Sequence, residues 1–383
     1  VVCLALLAAC GGASTGASDR IRTRATPSDI PLTSTLSTPT DSWAVVAMGH
    51  LRQPLNTFWQ MFVTPGHTRR WALVTPPGVA DNGGLVMAAP AAGRLVTGFR
   101  PSQELAVSPV ETSDHPGRWV VPASSAPVPD GGLADLPDVL SSGASGALAL
   151  ALGSGGDSAV LAGTSGLAGW HQVTSLGALA AQHSVASCDL TELTGVAITD
   201  AGGYVAGACA SPGVAAVLRL GTGAGSATLA GPTSPAWAHD DIQVIRLTDT
   251  AGRLATLLRL TSGGRVSYAA AWTRPGSSDW RVSPTLTAGG TLVSTGIGAT
   301  GGFVVETAGA RGTGPQAAVV TAGGAWTRLP SLPLGTTAVA DSVAGPVALV
   351  TGANTFADYR LTSAHEWARA ESFGVSIPYG SSN

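Results

Sequence analysis

The sequence predicts an all-β fold, and three observations predict it. Apolar runs are short, and glycine interrupts nearly every one of them, which suits helices poorly. The 51 glycines and 25 prolines are scattered rather than clustered, as many short strands joined by turns require. Tryptophan recurs just after a turn, at Trp71, Trp119, Trp170, Trp280, Trp326 and Trp367. The repeating unit is clearest over Gly302–Pro333: an apolar run, a Gly-rich gap, a second run, a Gly-Gly turn, a tryptophan and a Leu-Pro exit. A spacing of roughly 40–60 residues is that of β-propeller blades, four-stranded antiparallel sheets packed face to face around a channel.

Taken in order, the first unit holds strands at Trp43–Gly49, Thr57–Val63 and Arg70–Val74. The second holds Leu85–Ala89, Leu95–Phe99, Leu105–Val110 and Arg118–Val121. The third runs through Ala147–Leu152 and Ala159–Ala162 to Trp170, and the fourth through Val196–Thr199, Tyr204–Cys209, Val214–Leu220 and Ala227–Ala230, without a closing tryptophan. The fifth comprises Ile242–Leu247, Ala255–Leu260, Val266–Trp272 and Trp280. The sixth is the unit described above, and the seventh contains Val347–Val350, Phe356–Leu361 and Trp367. The expectation is one seven-bladed domain over residues 42–380. The first unit lacks a strand, and Phe373–Tyr379 is a strand-like remnant after the last tryptophan. An open ring exposes faces and edges, so this C-terminal strand is expected to enter the first blade and close it. The recurring tryptophans are expected to fill gaps between sheets, whereas Trp59, Trp237 and Trp272 fall off the repeat.

The chain opens VVCLALLAAC, an apolar run ending in small residues, a cysteine and Gly11. Leu7-Ala8-Ala9-Cys10 resembles the lipobox of bacterial lipoproteins. That resemblance implies a signal peptide over residues 1–9, cleavage before Cys10 and lipidation of its sulfur and new amine, a stable anchor where one acyl chain is marginal. Residues 10–41 are rich in Ser, Thr, Pro and Gly and are expected to form a disordered tether. Gly12–Gly16 matches the G-x-S-x-G nucleophile pattern, but a tether supplies no strand-to-helix elbow. With Cys3 removed and Cys10 lipidated, Cys188 and Cys209 remain as a lone pair at one end of a hairpin, either bridged or as two buried thiols.

Only 11% of the 383 residues are charged, against about 25% in an average protein. Every basic residue is arginine, and a net charge of -3 gives no basic footprint for nucleic acid. No apolar run is long enough to span a membrane as a helix. The seven histidines are scattered without a zinc-ligand spacing, and no phosphate loop or dinucleotide fingerprint is present, so no metal or cofactor is expected. Ala238-His239-Asp240-Asp241 reads as a solvated loop.

Thr112-Ser113-Asp114-His115-Pro116-Gly117-Arg118-Trp119 resembles the Asp-box of the sialidase (BNR-like) propeller superfamily, with Thr first and the glycine displaced by one. In that family the box is a structural turn, so the resemblance implies fold rather than activity. Phe99-Arg100-Pro101 is similar to the family's motif for the first substrate arginine, without its isoleucine. Sialidases use a Tyr/Glu nucleophilic pair, and none of Tyr204, Tyr268, Tyr359 and Tyr379 sits in a matching context. The polar loops of the early blades offer Asp81, Asn82, Arg100, Gln103 and Glu104 as candidate ligand contacts, because loops on a rigid scaffold carry binding residues. The resulting expectation is a monomeric, membrane-anchored surface lipoprotein, a non-catalytic propeller that binds a glycan or envelope-protein ligand. Two rivals stand beside it: an extracellular sialidase-like glycoside hydrolase and an assembly scaffold for envelope proteins.

Overall fold

The computed structural model describes residues 33–49, 57–66, 68–75, 85–91, 94–99, 104–107, 139–152, 157–167, 169–223, 225–250, 252–274, 277–309 and 314–376. Their strands form successive antiparallel units. The first contains β1 (Thr33–Ser37), β2 (Asp41–Gly49), β3 (Thr57–Pro65) and β4 (Ala72–Leu73). The second contains β5 (Leu85–Ala91), β6 (Arg94–Phe99) and β7 (Glu104–Val107), and the third β8 (Val139–Gly143), β9 (Gly146–Leu152), β10 (Ser158–Gly163) and β11 (His171–Ser175). The fourth is built from β12 (Leu190–Thr199), β13 (Gly202–Cys209), β14 (Val217–Leu220) and β15 (Ala227–Leu229). The fifth has β16 (Asp241–Thr250), β17 (Arg253–Ser262), β18 (Arg265–Thr273) and β19 (Trp280–Val282), with β20 (Leu286–Thr287) also on β18. The sixth has β21 (Leu292–Ile297), β22 (Phe303–Thr307), β23 (Gln316–Val320) and β24 (Trp326–Arg328). The seventh has β25 (Thr336–Ser342), β26 (Gly345–Thr351), β27 (Thr355–Leu361) and β28 (Trp367–Gly374). This is a β-propeller.

The middle strands are buried on both faces, which is why they read as apolar runs rather than alternating patterns. In β18, Ala269, Ala270 and Ala271 are all fully buried, one reason alanine is so abundant although helices are few among the described residues. Turns follow hairpin chemistry: Ser262 pairs with Arg265 across Gly263-Gly264, both at positive φ, as a two-residue loop of matching twist demands.

The tryptophans that open the outer strands pack backwards onto the preceding unit. Trp170 joins Val96 of the second unit. The Trp280 indole donates to Ala230 O at 2.7 Å, and Trp367 donates to Pro330 O at 3.3 Å. Trp71 sits with Ala338, Leu349 and Phe356 of the seventh unit, and so closes the ring. The off-repeat tryptophans are also packing groups: Trp237 and Trp272 are buried in inter-unit clusters, and Trp59 packs against a third. Trp119 lies outside the described residues.

Two sequence expectations are corrected. Phe373 and Gly374 do not enter the first unit; they finish β28, paired with Phe356 and Thr355. The missing strand is β1, drawn from the segment read as tether, so the folded domain includes Thr33–Ser37 rather than starting at residue 42. β1 pairs antiparallel with β2 and parallel with β21 of the sixth unit. Its composition looks like a linker, yet β-branched threonines suit a strand, and Leu36 buries among Trp43, Val45, Met61 and Leu95. Gly296 admits it, since any Cβ there would collide with Thr35 Oγ1.

The seam between the first and seventh units is closed by side chains and backbone rather than a shared strand. Phe62 stacks on Phe356 at 4.2 Å between centroids, with Phe373 and Trp71 around them. Thr35 Oγ1 donates to Val339 O at 2.8 Å, Thr351 Oγ1 to Ala47 O at 2.7 Å, and Gly49 N to Ala353 O at 3.1 Å. The tail contributes by packing: Val375 is buried in this seam and its N–H donates to Asn354 O.

Candidate functional site

Along the seam, the inward positions of β2 and β3 change character. Ala44 and Phe62, paired across the strands, are apolar; two residues on, the same face carries the Ser42–Thr64 pair, and the Asp41–Pro65 pair ends the two strands on the other face. On the facing unit, Val347 and Leu349 are apolar, but Asp358 and Arg360 share the β27 face that carries Phe356. The apolar core therefore ends in a shallow polar cleft. Thr64, Arg69 and Asp41 line it from the first unit, Val343, Val347 and Arg360 from the seventh.

The cleft's groups are held by the fold. Arg360 Nε donates to Asp358 Oδ2 at 2.9 Å, with Asp358 fully buried and the Arg360 side chain 22% exposed. Arg360 Nη2 donates across the seam to Arg69 O. Next to it, Trp71 N–H donates to Glu371 Oε2 at 3.0 Å. Burial raises the Asp358 carboxyl above the usual range, against the opposing pull of Arg360. Gly66 brings its N–H to Thr40 O, an approach a side chain would obstruct, because a Cβ would stand 2.9 Å from that oxygen. Arg69 is left-handed at φ 54°, which a bulky residue rarely adopts. The Thr64 hydroxyl is buried, with the residue 6% exposed, and has no hydrogen-bond partner.

Other buried acids lie at the ends or within the sheets. Burial pushes the Asp341 carboxyl up to about 6. Asp249 also reaches about 6, through burial and then the charge of Asp200, against backbone N–H bonds from Gly252 and Thr250. Glu306 is raised by burial although Ser294 Oγ donates to it at 2.8 Å. Burial lowers the Arg246 guanidinium to about 9. No group of three or more His, Cys, Asp or Glu able to hold a metal ion occurs among the described residues.

Cys188 and Cys209 form a disulfide, with Cα atoms 4.9 Å apart. Cys209 lies opposite Leu190 in the β12–β13 ladder, so the bridge ties the connection from the third unit to that hairpin. Of the polar-loop candidates, Asp81, Asn82, Arg100 and Gln103 lie outside the described residues, as do Cys10 and the segment before Thr33. Glu104 opens β7, paired with Phe99. His239 lies in an exposed turn, as the sequence suggested. The cleft residues were missed. A signal existed in Phe356-Ala357-Asp358-Tyr359-Arg360, where two charges at strand spacing fall on the face of a buried aromatic.

No family model matches the chain, and no curated protein matches its sequence. Solved structures similar to it include the periplasmic gluconolactonase of Pseudomonas aeruginosa, at 15% identity and TM-score 0.48 over 86% of this chain and 95% of that one. TolB from Acinetobacter baumannii is similar at 13% identity and TM-score 0.45 over 75% of this chain and 66% of that one. The lectin of Aleuria aurantia is similar at 13% identity and TM-score 0.37, covering 78% and 97%. Likeness at this level carries no function, and the fold is read from the strand pairing itself.

Proposed function

We propose that this chain is an extracytoplasmic binding propeller, tethered to the membrane through lipid on Cys10, that holds a ligand non-catalytically in the cleft between its first and seventh units. The observation that carries this reading is the Thr64 hydroxyl, buried without a partner on the wall of a cleft that also presents Arg69 and Arg360. A buried polar group left unpaired is costly, and a ligand atom would satisfy it. The disulfide fits an oxidising compartment. Topology fits a tether: β1 starts, and Val375 ends, at the side of Gly49 and Asn354, while the cleft opens at the opposite side, by Asp41, Gly66 and Ser342. A tether leaving before Thr33 would turn the cleft away from the membrane, towards envelope glycans or proteins.

The test is a glycan and envelope-fraction binding screen on the full chain and on Thr64→Val. Retention that falls about tenfold or more in the variant, the worth of one well-placed hydrogen bond to a charged group, supports the cleft. Retention unchanged by the substitution contradicts it. For the anchor, Cys10→Ala with an intact signal should lose membrane partitioning in detergent phase separation, and unchanged partitioning contradicts lipidation.

A further inference from the structure

We infer that the cleft takes a small hydroxylated carboxylate, its carboxyl group against the two arginines and a hydroxyl between Thr64 and Asp41; this rests on the cleft being the ligand site. The donor count points to an anion. A guanidinium carries five N–H donors, and Arg360 places two of them, on Asp358 and on Arg69 O. Three remain on a side chain that lines the cleft. Arg69 is exposed and its guanidinium makes no ion pair among the described residues, so it brings a second set of donors. Its left-handed backbone is a conformation glycine adopts without strain. A bulky cation held there against that preference marks the side chain as what the position supplies.

The remaining walls narrow the class of anion. Val343, Val347 and Pro65 offer an apolar side that inorganic phosphate would leave empty, whereas a carbon skeleton would cover it. The Asp41 carboxylate at the same mouth offsets part of the arginine charge, so the cleft suits a singly charged group better than a dianion. The Asp41 carboxylate already accepts from the Thr40 hydroxyl on Oδ2, and a ligand hydroxyl beside the carboxyl would give its other oxygen a donor. Ser342 already donates its hydroxyl to Gly345 O at 2.7 Å.

The experiment is calorimetric titration of the full chain with four probes: glycerate, propionate without hydroxyls, glycerol without charge, and inorganic phosphate without carbon. Glycerate should bind, propionate about tenfold more weakly, and glycerol and phosphate not detectably. Arg69→Gly removes the guanidinium while relaxing the backbone, so it should fold and melt no lower than the parent, yet lose glycerate. Phosphate or glycerol binding as well as glycerate overturns the ligand class, as does the absence of glycerate binding. Glycerate binding that survives Arg69→Gly overturns the placement. Should the envelope screen depend on Thr64 while glycerate fails to compete, the ligand class falls and the cleft stands; should it ignore Thr64, the cleft itself falls.

Discussion

Thr64 carries opposite consequences for stability and binding. A buried hydroxyl without a partner costs about 1–3 kcal/mol, so the isosteric Thr64→Val should raise the melting temperature while losing ligand. Thr97, fully buried and also unpartnered but away from the cleft, is the control. Thr97→Val should stabilise without touching binding, and equal effects of both on binding would remove the special role of Thr64. Asp341 gives a pH prediction. Its carboxyl stands near 6 in the fold against 3.8 when unperturbed. The folded chain therefore keeps a proton that the unfolded chain releases between those values. Its contribution is fully present below the lower value and is lost as pH rises towards 6. Melting at pH 4.5 and 7.0 should show a smaller difference for Asp341→Asn than for the parent, and an identical difference would deny the shift. At this scale the sequence made the cysteine pair legible, since Cys188 and Cys209 were the two left once the leader was set aside. It concealed Arg69, Thr64 and Arg360, because a cleft made by residues about 290 positions apart has no local pattern.

Among the elements, the outer strands show why the tryptophan rhythm was readable. Trp71, Trp170, Trp280 and Trp367 each cover part of the preceding unit, so the same volume is needed at the same point of those repeats. Trp170→Ala, from a site 5% exposed, should cost about 3–5 kcal/mol. Trp367→Ala, from a half-buried site with one long hydrogen bond, should cost clearly less. Denaturant unfolding of both variants checks the order, and a larger loss at Trp367 would contradict the packing role. The disulfide spans 21 residues and should contribute about 3 kcal/mol. β1 was unreadable for a different reason. A single leucine among serines and threonines has no periodicity, and one of the strand's two pairing partners, β21, follows more than 250 positions later.

At the scale of the whole molecule, the claim to test is how the ring closes. The sequence indicated that the first unit lacked a strand, and assigned the vacancy to the wrong end of the chain. Both terminal segments reach the seam, but they act differently: the C-terminal one by packing Phe373 and Val375, the N-terminal one by pairing on both edges of β1. Closure of this kind also sets up the cleft, because β2, to which β1 pairs, carries Asp41 and Ser42. The direct measurement is thermal unfolding of the full chain beside a chain lacking residues 11–37, which removes β1 and leaves Asp41 and the rest of β2 in place. Loss of β1 strips the cover from Leu36's buried neighbours and leaves the β2 and β21 edges unpaired. The melting temperature should then fall by at least about 5 °C, at roughly 2 °C per kcal/mol for a domain of this size, and glycerate binding should go with it. A shortened chain that melts with the parent would contradict closure by β1.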